Sequence, residues 1–437
     1  MRDVAERLRR MRRPDAEAGA SSDLDRLEVS LALETPGGLS LKDRLQRLVS
    51  AASRGGFADP PSAPLEDLVR CRLVRNESGE CLAVDEAVSL ESSHGDVPLC
   101  RVHSVLPDTV GILTGLPDLG PFDLARAVFL DTETTGLAGG AGTAAFLVGI
   151  GFVDAGQFRV RQYFMRDYHE EPALLHELAR DLAGFSQVVT FNGKMFDLPL
   201  LETRYRLNRA RFPLAEAAHL DLLHPARRLW KMRLESCRLQ SLEGALLGLR
   251  RHGDVAGEDI PRIYFDYVRS RAAGAMPRVL EHNRLDIVSL AALAIVACQW
   301  VEEGRAEDPR DVLSLARVLE RAELYERSEA EYRRASEASA EAVRVPALLR
   351  LADRAKRAGD RAAALGFWEE AAAAGDALAL RELAMHHEHR RHDCEAALRA
   401  ADRGLALAGS AADPHARRAA DDFRRRRARL LRKLGRG

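Results

Sequence analysis

The segment Phe129-Leu-Asp-Thr-Glu-Thr-Thr-Gly136 decides how this chain is read. It overlaps the apolar run Ala127-Val-Phe-Leu130, which has the length and content of a buried strand, and it ends that strand with two carboxylates two residues apart. Residues i and i+2 of a strand share a face, so Asp131 and Glu133 can point at one ion. A third carboxylate, Asp197, closes Phe191-Asn-Gly-Lys-Met-Phe-Asp197, where a strand breaks at Gly193 and a helix begins near Pro199. A fourth, Asp286, ends His282-Asn-Arg-Leu-Asp286, early in a long apolar helix. Each alone reads equally well as a helix cap or a surface charge. Four together would repel strongly, and two divalent ions about 4 Å apart turn that repulsion into a clamp on a phosphodiester. Mg²⁺ or Mn²⁺ suits such hard oxygen ligands.

Outward from this segment, residues 126–301 alternate strands with helices. Strands are expected at 127–130, 145–153 and 157–165, the last two joined by a turn at 154–156. Pro172 opens a helix with Leu174, Leu175, Leu178, Leu182 and Phe185 on one face. Strands at 187–191 and 219–223 and helices at 239–249 and 278–300 complete the set. Three strands, helix, strand, helix, strand is the order of an RNase H-like sheet. The expected fold is α/β: a mixed five-stranded sheet flanked by helices at 121–303, after an N-terminal mixed region at 1–120. That region holds a polar Gly/Ser/Pro-rich stretch at 14–64 and a β-hairpin turning at Ser78-Gly79. Residues 308–437 show only helical periodicity. Segments starting at Tyr325, Arg361 and Cys394 resemble one another, with Tyr332, Trp368 and Asp402 at spacings near the 34 residues of tetratricopeptide units. Such repeats present a concave surface to a partner protein; the other reading of the segment is a generic alanine-rich helical bundle.

Composition fits this division. The chain has 437 residues, 46% hydrophobic and 30% charged, and reads as soluble and multidomain. No apolar run reaches the ~18 residues of a membrane span, the longest candidate, Ile287 to Val301, reading as a buried helix, and the N-terminus does not read as a secretory signal. Six cysteines lack CxxC spacing, which points to reduced thiols and the cytoplasm. Cys71, Cys81, His94, Cys100 and His103 are near one another but lack the spacing of zinc ligands. Net charge is −1, yet residues 417–436 hold ten basic residues and the first thirteen hold six arginines. Such runs either follow phosphates or form a solvated helix end. The loop 136–142 is glycine-rich without the Lys-Ser/Thr of a triphosphate site. Trp230 is read as either a base-stacking or a core residue.

Taken together, Asp131-Thr-Glu-Thr-Thr-Gly136, the 191–201 motif, His219-Leu-Asp-Leu-Leu223, Arg228-Leu-Trp-Lys231, Asp259-Ile-Pro261 and His282-Asn-Arg-Leu-Asp286 resemble the YprB-type RNase H-like branch of the DnaQ/DEDD exonuclease superfamily. The resemblance implies a 3′→5′ exonuclease with two Mg²⁺ or Mn²⁺ ions, acting on DNA in repair, with tetratricopeptide-like repeats that engage a helicase or another protein. By resemblance, Asp131, Glu133 and Asp286 hold one metal, and Asp131 with Asp197 the other. His282 stands four residues before Asp286, in the register where such enzymes carry a tyrosine. On a helix these positions share a face, so His282 reads as the general base or as a residue orienting a phosphate or Asp286. Thr134, Asn192 and Lys194 are candidate substrate contacts, and Asp221 is read as shaping the site. Open alternatives are a catalytically weak scaffold whose repeats bind a partner, an RNA-directed nuclease, and an RNase H-type endonuclease.

Overall fold

The computed structural model describes residues 63–116, 119–136, 142–408 and 414–436. The basic N-terminal segment, nearly all of the polar stretch and the core of the glycine-rich loop lie outside the described residues.

Seven strands form one mixed sheet: β1 (Arg72–Asn76), β2 (Gly79–Ser89), β3 (Val128–Thr134), β4 (Ala145–Asp154), β5 (Gln157–Phe164), β6 (Gln187–Thr190) and β7 (Ala218–Asp221). Their spatial order is β1-β2-β5-β4-β3-β6-β7. The last five are the expected RNase H-like set, with β3 antiparallel to β4 and parallel to β6. The β1–β2 hairpin does not stand apart. It extends the same sheet, pairing with β5 from Leu82 opposite Phe164 to Ser89 opposite Gln157. The β4–β5 turn has positive φ at Ala155 (48°) and Gly156 (75°), the backbone hand that matches strand twist.

Alternation along β3 splits the core. Phe129 packs on one face with Phe158, Val189 and Ile287, while Val128 and Leu130 pack on the other with Leu174, Leu178 and Tyr205. Helix α1 (Glu171–Leu182) buries Leu174, Leu175, Leu178 and Leu182, while Phe185 falls beyond its end. Helix α2 (Asp197–Leu207) starts two residues before Pro199, which sits in the first turn, where a backbone N–H has no helical partner to lose. Helices α3 (Leu223–Trp230), α4 (Ile260–Ser270) and α5 (Met276–Glu303) follow. The helix expected at 239–249 is one α turn, Leu239–Leu242, running into a wider π turn that ends at Gly248 with φ 65°.

Helix α5 is long and apolar enough to cross a membrane by composition, but 78% of its most apolar window is buried within the protein. It lends Met276, Val279 and Leu280 to one core and Ile287 onward to the other. The polar stretch 282–286 lies at the changeover. Two glycines of β4 permit its close approach: a Cβ on Gly149 would stand 2.1 Å from Asn283 Oδ1, and one on Gly151 2.4 Å from Ile287 Cγ2.

Three helix pairs follow: α6 (Pro309–Arg321) with α7 (Tyr325–Ser336), α8 (Glu341–Arg357) with α9 (Arg361–Ala373), and α10 (Ala377–His386) with α11 (Cys394–Ala408). Helix α12 (Pro414–Lys433) packs last, against α11. Aspartates 308, 360 and 376 cap α6, α9 and α10 by accepting backbone N–H bonds. Tyr332 and Trp368 are buried, but Asp402 is exposed. The matching buried position is Ala401, one residue earlier. The first pair is continuous with the core of the sheet domain through Val312, Leu315, Leu319 and Tyr332, and Arg233 pairs there with buried Asp311.

The basic C-terminal run is largely spent internally. Arg426, Arg429 and Lys433 converge on Glu388, whose side chain is fully buried, and Arg427 and Arg436 pair with Asp402 and Glu395. Burial opposes ionisation of Glu388, yet the hydrogen bonds from Arg429 and Lys433 hold its pKa at about 2. The six cysteines are unpaired. His94 bonds Ser289 at 2.8 Å, and among the described residues no zinc-like cluster forms.

Candidate active site

Strands β3, β6 and β7 are parallel, so their C-terminal ends lie along one edge, where open α/β sheets bind ligands. Asp131 and Glu133 emerge there as β3 leaves the apolar core, and the pairing with β4 shifts register between Glu133 and Thr134. After β6 the chain turns sharply at Asn192, with φ 66°. Gly193 follows, where any Cβ would strike the Thr190 side chain at 2.5 Å. Asp221 at the end of β7 fixes this turn by accepting the backbone N–H groups of Asn192 (2.7 Å), Lys194 (3.1 Å) and Leu223 (3.1 Å). Both oxygens of Asp221 are thus engaged in holding the turn. The turn delivers Asp197, 8% exposed, to the first position of α2.

The structure brings Asp131, Glu133, Asp197, Asp286 and His282 together. Burial first, then the charges of Asp286, Glu133 and Asp197, push the Asp131 carboxyl well above its ordinary range. Burial followed by Asp286 and Asp197 does the same to Glu133. Burial raises Asp197 to about 6, although a hydrogen bond donated by Thr132 Oγ1 works against the rise. Asp286 is also raised by burial, with Arg251 opposing.

Asp131 and Asp286 each lean on a neighbour of their own. Asn283 Nδ2 donates to Asp131 Oδ2 at 2.8 Å. Asn283 in turn accepts from Gln162 Nε2 at 2.9 Å, and that amide also donates to the Leu280 carbonyl at 2.7 Å. Gln162, Gly149 and Asp131 are register neighbours across β5, β4 and β3, so Asn283 lies over the bare glycine between them. Arg251 bonds Asp286 and Glu243, and reaches Asp254 at 3.1 Å. Among the described residues no three His, Cys, Asp or Glu side chains close on one point as a finished metal cage. The donor set nonetheless suits hard divalent cations: four carboxylates, each made hard to ionise by burial and two of them also by their neighbours' charge, gain most from added positive charge.

His282 is 7% exposed. Its Nδ1 lies 2.8 Å from Asp254 Oδ1, and its Nε2 faces Asp286 Oδ2 at 3.7 Å and Glu133 Oε1 at 3.9 Å. Of the three candidate substrate contacts, Thr134 donates its hydroxyl to the Gly136 carbonyl at 2.9 Å, Lys194 is exposed and Asn192 half-buried. Met195 and Phe196, 70% and 54% exposed, stand beside them on the same pinned turn. Trp230 is core, edge-to-face with Trp300 at 5.5 Å.

Sequence reading missed Arg251, Asp254, Gln162 and the partner role of Asn283. Asn283 lay inside a quoted motif. Arg251 and Asp254 lie in an irregular segment whose only signal was paired charge close to the Asp259-Ile-Pro261 motif.

Comparison with known proteins agrees with this fold. Residues 128–298 match the RNase H superfamily. The uncharacterized protein YprB of Bacillus subtilis (strain 168) is 32% identical over 260 residues, which are 59% of this chain and 62% of that protein's length. The match thus spans less than two thirds of the relative. From its sheet order, its carboxylate edge and this match, residues 128–298 form a domain of the RNase H superfamily.

Proposed function

We propose that this chain is a metal-dependent 3′→5′ exonuclease that hydrolyses phosphodiester bonds at nucleic-acid ends, with DNA as substrate in a repair setting. The observation that carries the reading is the cluster of four carboxylates at the C-terminal edge of the sheet, Asp197 buried and the others half-buried, with Asp131 and Glu133 pushed up in part by the charges of the others. Asp131, Glu133 and Asp286 would hold one Mg²⁺ or Mn²⁺, and Asp131 with Asp197 a second. Bound there, such ions would supply an activated water and stabilise the leaving 3′ oxygen. The chain itself supplies the rest. His282 Nε2 faces the carboxylates and would accept the proton of the water. Asn192, Lys194 and Thr134, with the exposed Met195 and Phe196, would receive the terminal nucleotide. The helical repeats would carry a partner protein such as a helicase. Unpaired cysteines fit a reducing compartment such as the cytoplasm.

Single-stranded DNA and RNA labelled at the 5′ or 3′ end, with a circular single strand alongside, test this reading in Mg²⁺ or Mn²⁺. Stepwise loss from the 3′ end of linear DNA, with circles intact, is expected. Cut circles would mean an endonuclease, and preferential loss of RNA would overturn the DNA assignment. No cleavage of any strand would leave the scaffold reading.

A further inference from the structure

The contacts of His282 assign a role to a residue outside the motifs. Asp254 lies in the irregular segment between the π turn and α4. Its Oδ1 meets His282 Nδ1 at 2.8 Å and accepts the Val255 N–H at 2.8 Å. Its Oδ2 accepts from Arg251 Nη1 and Gln240 Nε2, each at 3.1 Å. Arg251 is itself anchored on Glu243 (Nε to Oε2, 2.8 Å), whose side chain is 1% exposed. Three donors and the imidazole therefore converge on one carboxylate, and its orientation is fixed from both sides. The opposite edge of the imidazole is unbonded: Nε2 is 3.7 Å from Asp286 and 3.9 Å from Glu133, aimed at both and within hydrogen-bond reach of neither.

We propose that Asp254 is the positioning residue for His282, taking the Nδ1 proton and thereby presenting Nε2 to the carboxylate site as the ring's free acceptor. A carboxylate accepts hydrogen bonds and does not donate them, so in the neutral ring this contact selects one tautomer, with the proton on Nδ1. The same division of labour holds an imidazole base in orientation in hydrolases of unrelated fold. The proposal rests on the hydrolytic reading for its kinetic consequence, but its structural content stands without it.

Two measurements on the full chain decide the matter separately. In the first, ¹⁵N-histidine NMR of the wild type, assigned with His282→Ala, reads which ring nitrogen carries the proton. The expected result is a protonated Nδ1, with the preference weakened in Asp254→Asn, whose amide can donate as well as accept. A proton on Nε2 alone in the wild type overturns the proposal whether or not the protein cleaves anything. In the second, Asp254→Asn is assayed on 3′-labelled single-stranded DNA in Mn²⁺. A loss of about 10²-fold in kcat is expected, the lower end of a general base's contribution, with KM changed less than about twofold. Adding Asp254→Asn to His282→Ala should cost nothing more, because the two act as a unit. An equal loss in both backgrounds overturns the proposal. An inactive wild type condemns the hydrolytic reading and leaves the NMR result to judge Asp254.

Discussion

Buried carboxylates that destabilise one another should make the metal-free protein less stable at neutral pH than a variant with one charge removed. Asp197→Asn is the cleanest such change, because an amide Oδ1 can still accept the Thr132 hydroxyl. Burial lifts Asp197 from 3.8 to about 6. A folded-state pKa above that of the unfolded chain means that the native state binds the extra proton. Stability is then full below about pH 4 and falls as pH rises toward 6. A shift of about 2 pKa units corresponds to about 3 kcal/mol lost by pH 7.5. At ~2 cal/mol/K of unfolding entropy per residue, that is roughly 3–4 °C in Tm for a chain of this size. In EDTA, Asp197→Asn should therefore melt a few degrees above the wild type at pH 7.5 and together with it at pH 4. Saturating Mn²⁺ should reverse the order by stabilising the wild type more. Thermal denaturation across that pH range, with and without metal, makes the test. If Asp197→Asn is equally destabilised at both pH values, the strained-carboxylate reasoning is wrong.

Other consequences follow from the packing around the site and the repeats. Gly149→Ala forces a methyl into Asn283, so it should cost about 1–3 kcal/mol in urea unfolding and weaken Mn²⁺ binding by displacing the partner of Asp131; unaltered metal affinity would disconnect that relay from the site. Arg233→Met leaves Asp311, 1% exposed, without its cation, and should destabilise by about 3–5 kcal/mol, most of it recovered on adding Asp311→Leu. Glu388→Gln should expose the C-terminal helix to limited proteolysis by removing the shared partner of Arg426, Arg429 and Lys433. Because the Glu388 pKa is depressed to about 2, the stabilisation it gives the wild type is present above about pH 4.5 and fades as pH falls toward 2.

How much of this could be read in advance depended on the range of each signal. Asp131 and Glu133 were legible because strand periodicity alone puts them on one face, and His282 with Asp286 because helical periodicity does the same. Asp197 required only the break at Gly193 between a strand and a helix. The β1–β2 hairpin was equally visible, but its docking on β5 was not, since any strand edge could have received it. Asn283 could be assigned to Asp131 only through the register that lines up Gln162, Gly149 and Asp131 across three strands. Arg251 and Asp254 carry no periodicity, and they meet α5 across 28 to 35 residues of sequence. In the C-terminal helices, alanine-rich faces offer little contrast in side-chain size, which is why Asp402, and not Ala401, reads as the central position.

A working two-metal centre requires that no carboxylate be dispensable, and Asp131 is the one assigned to both ions. The most direct measurement is the rate of Mn²⁺-dependent hydrolysis of 3′-labelled single-stranded DNA by the wild type and by Asp131→Asn. Loss of ligation by the shared carboxylate should remove several kcal/mol of transition-state stabilisation, a drop of about 10³-fold or more. Cleavage by Asp131→Asn at the wild-type rate would place the chemistry, if there is any, somewhere other than this carboxylate edge.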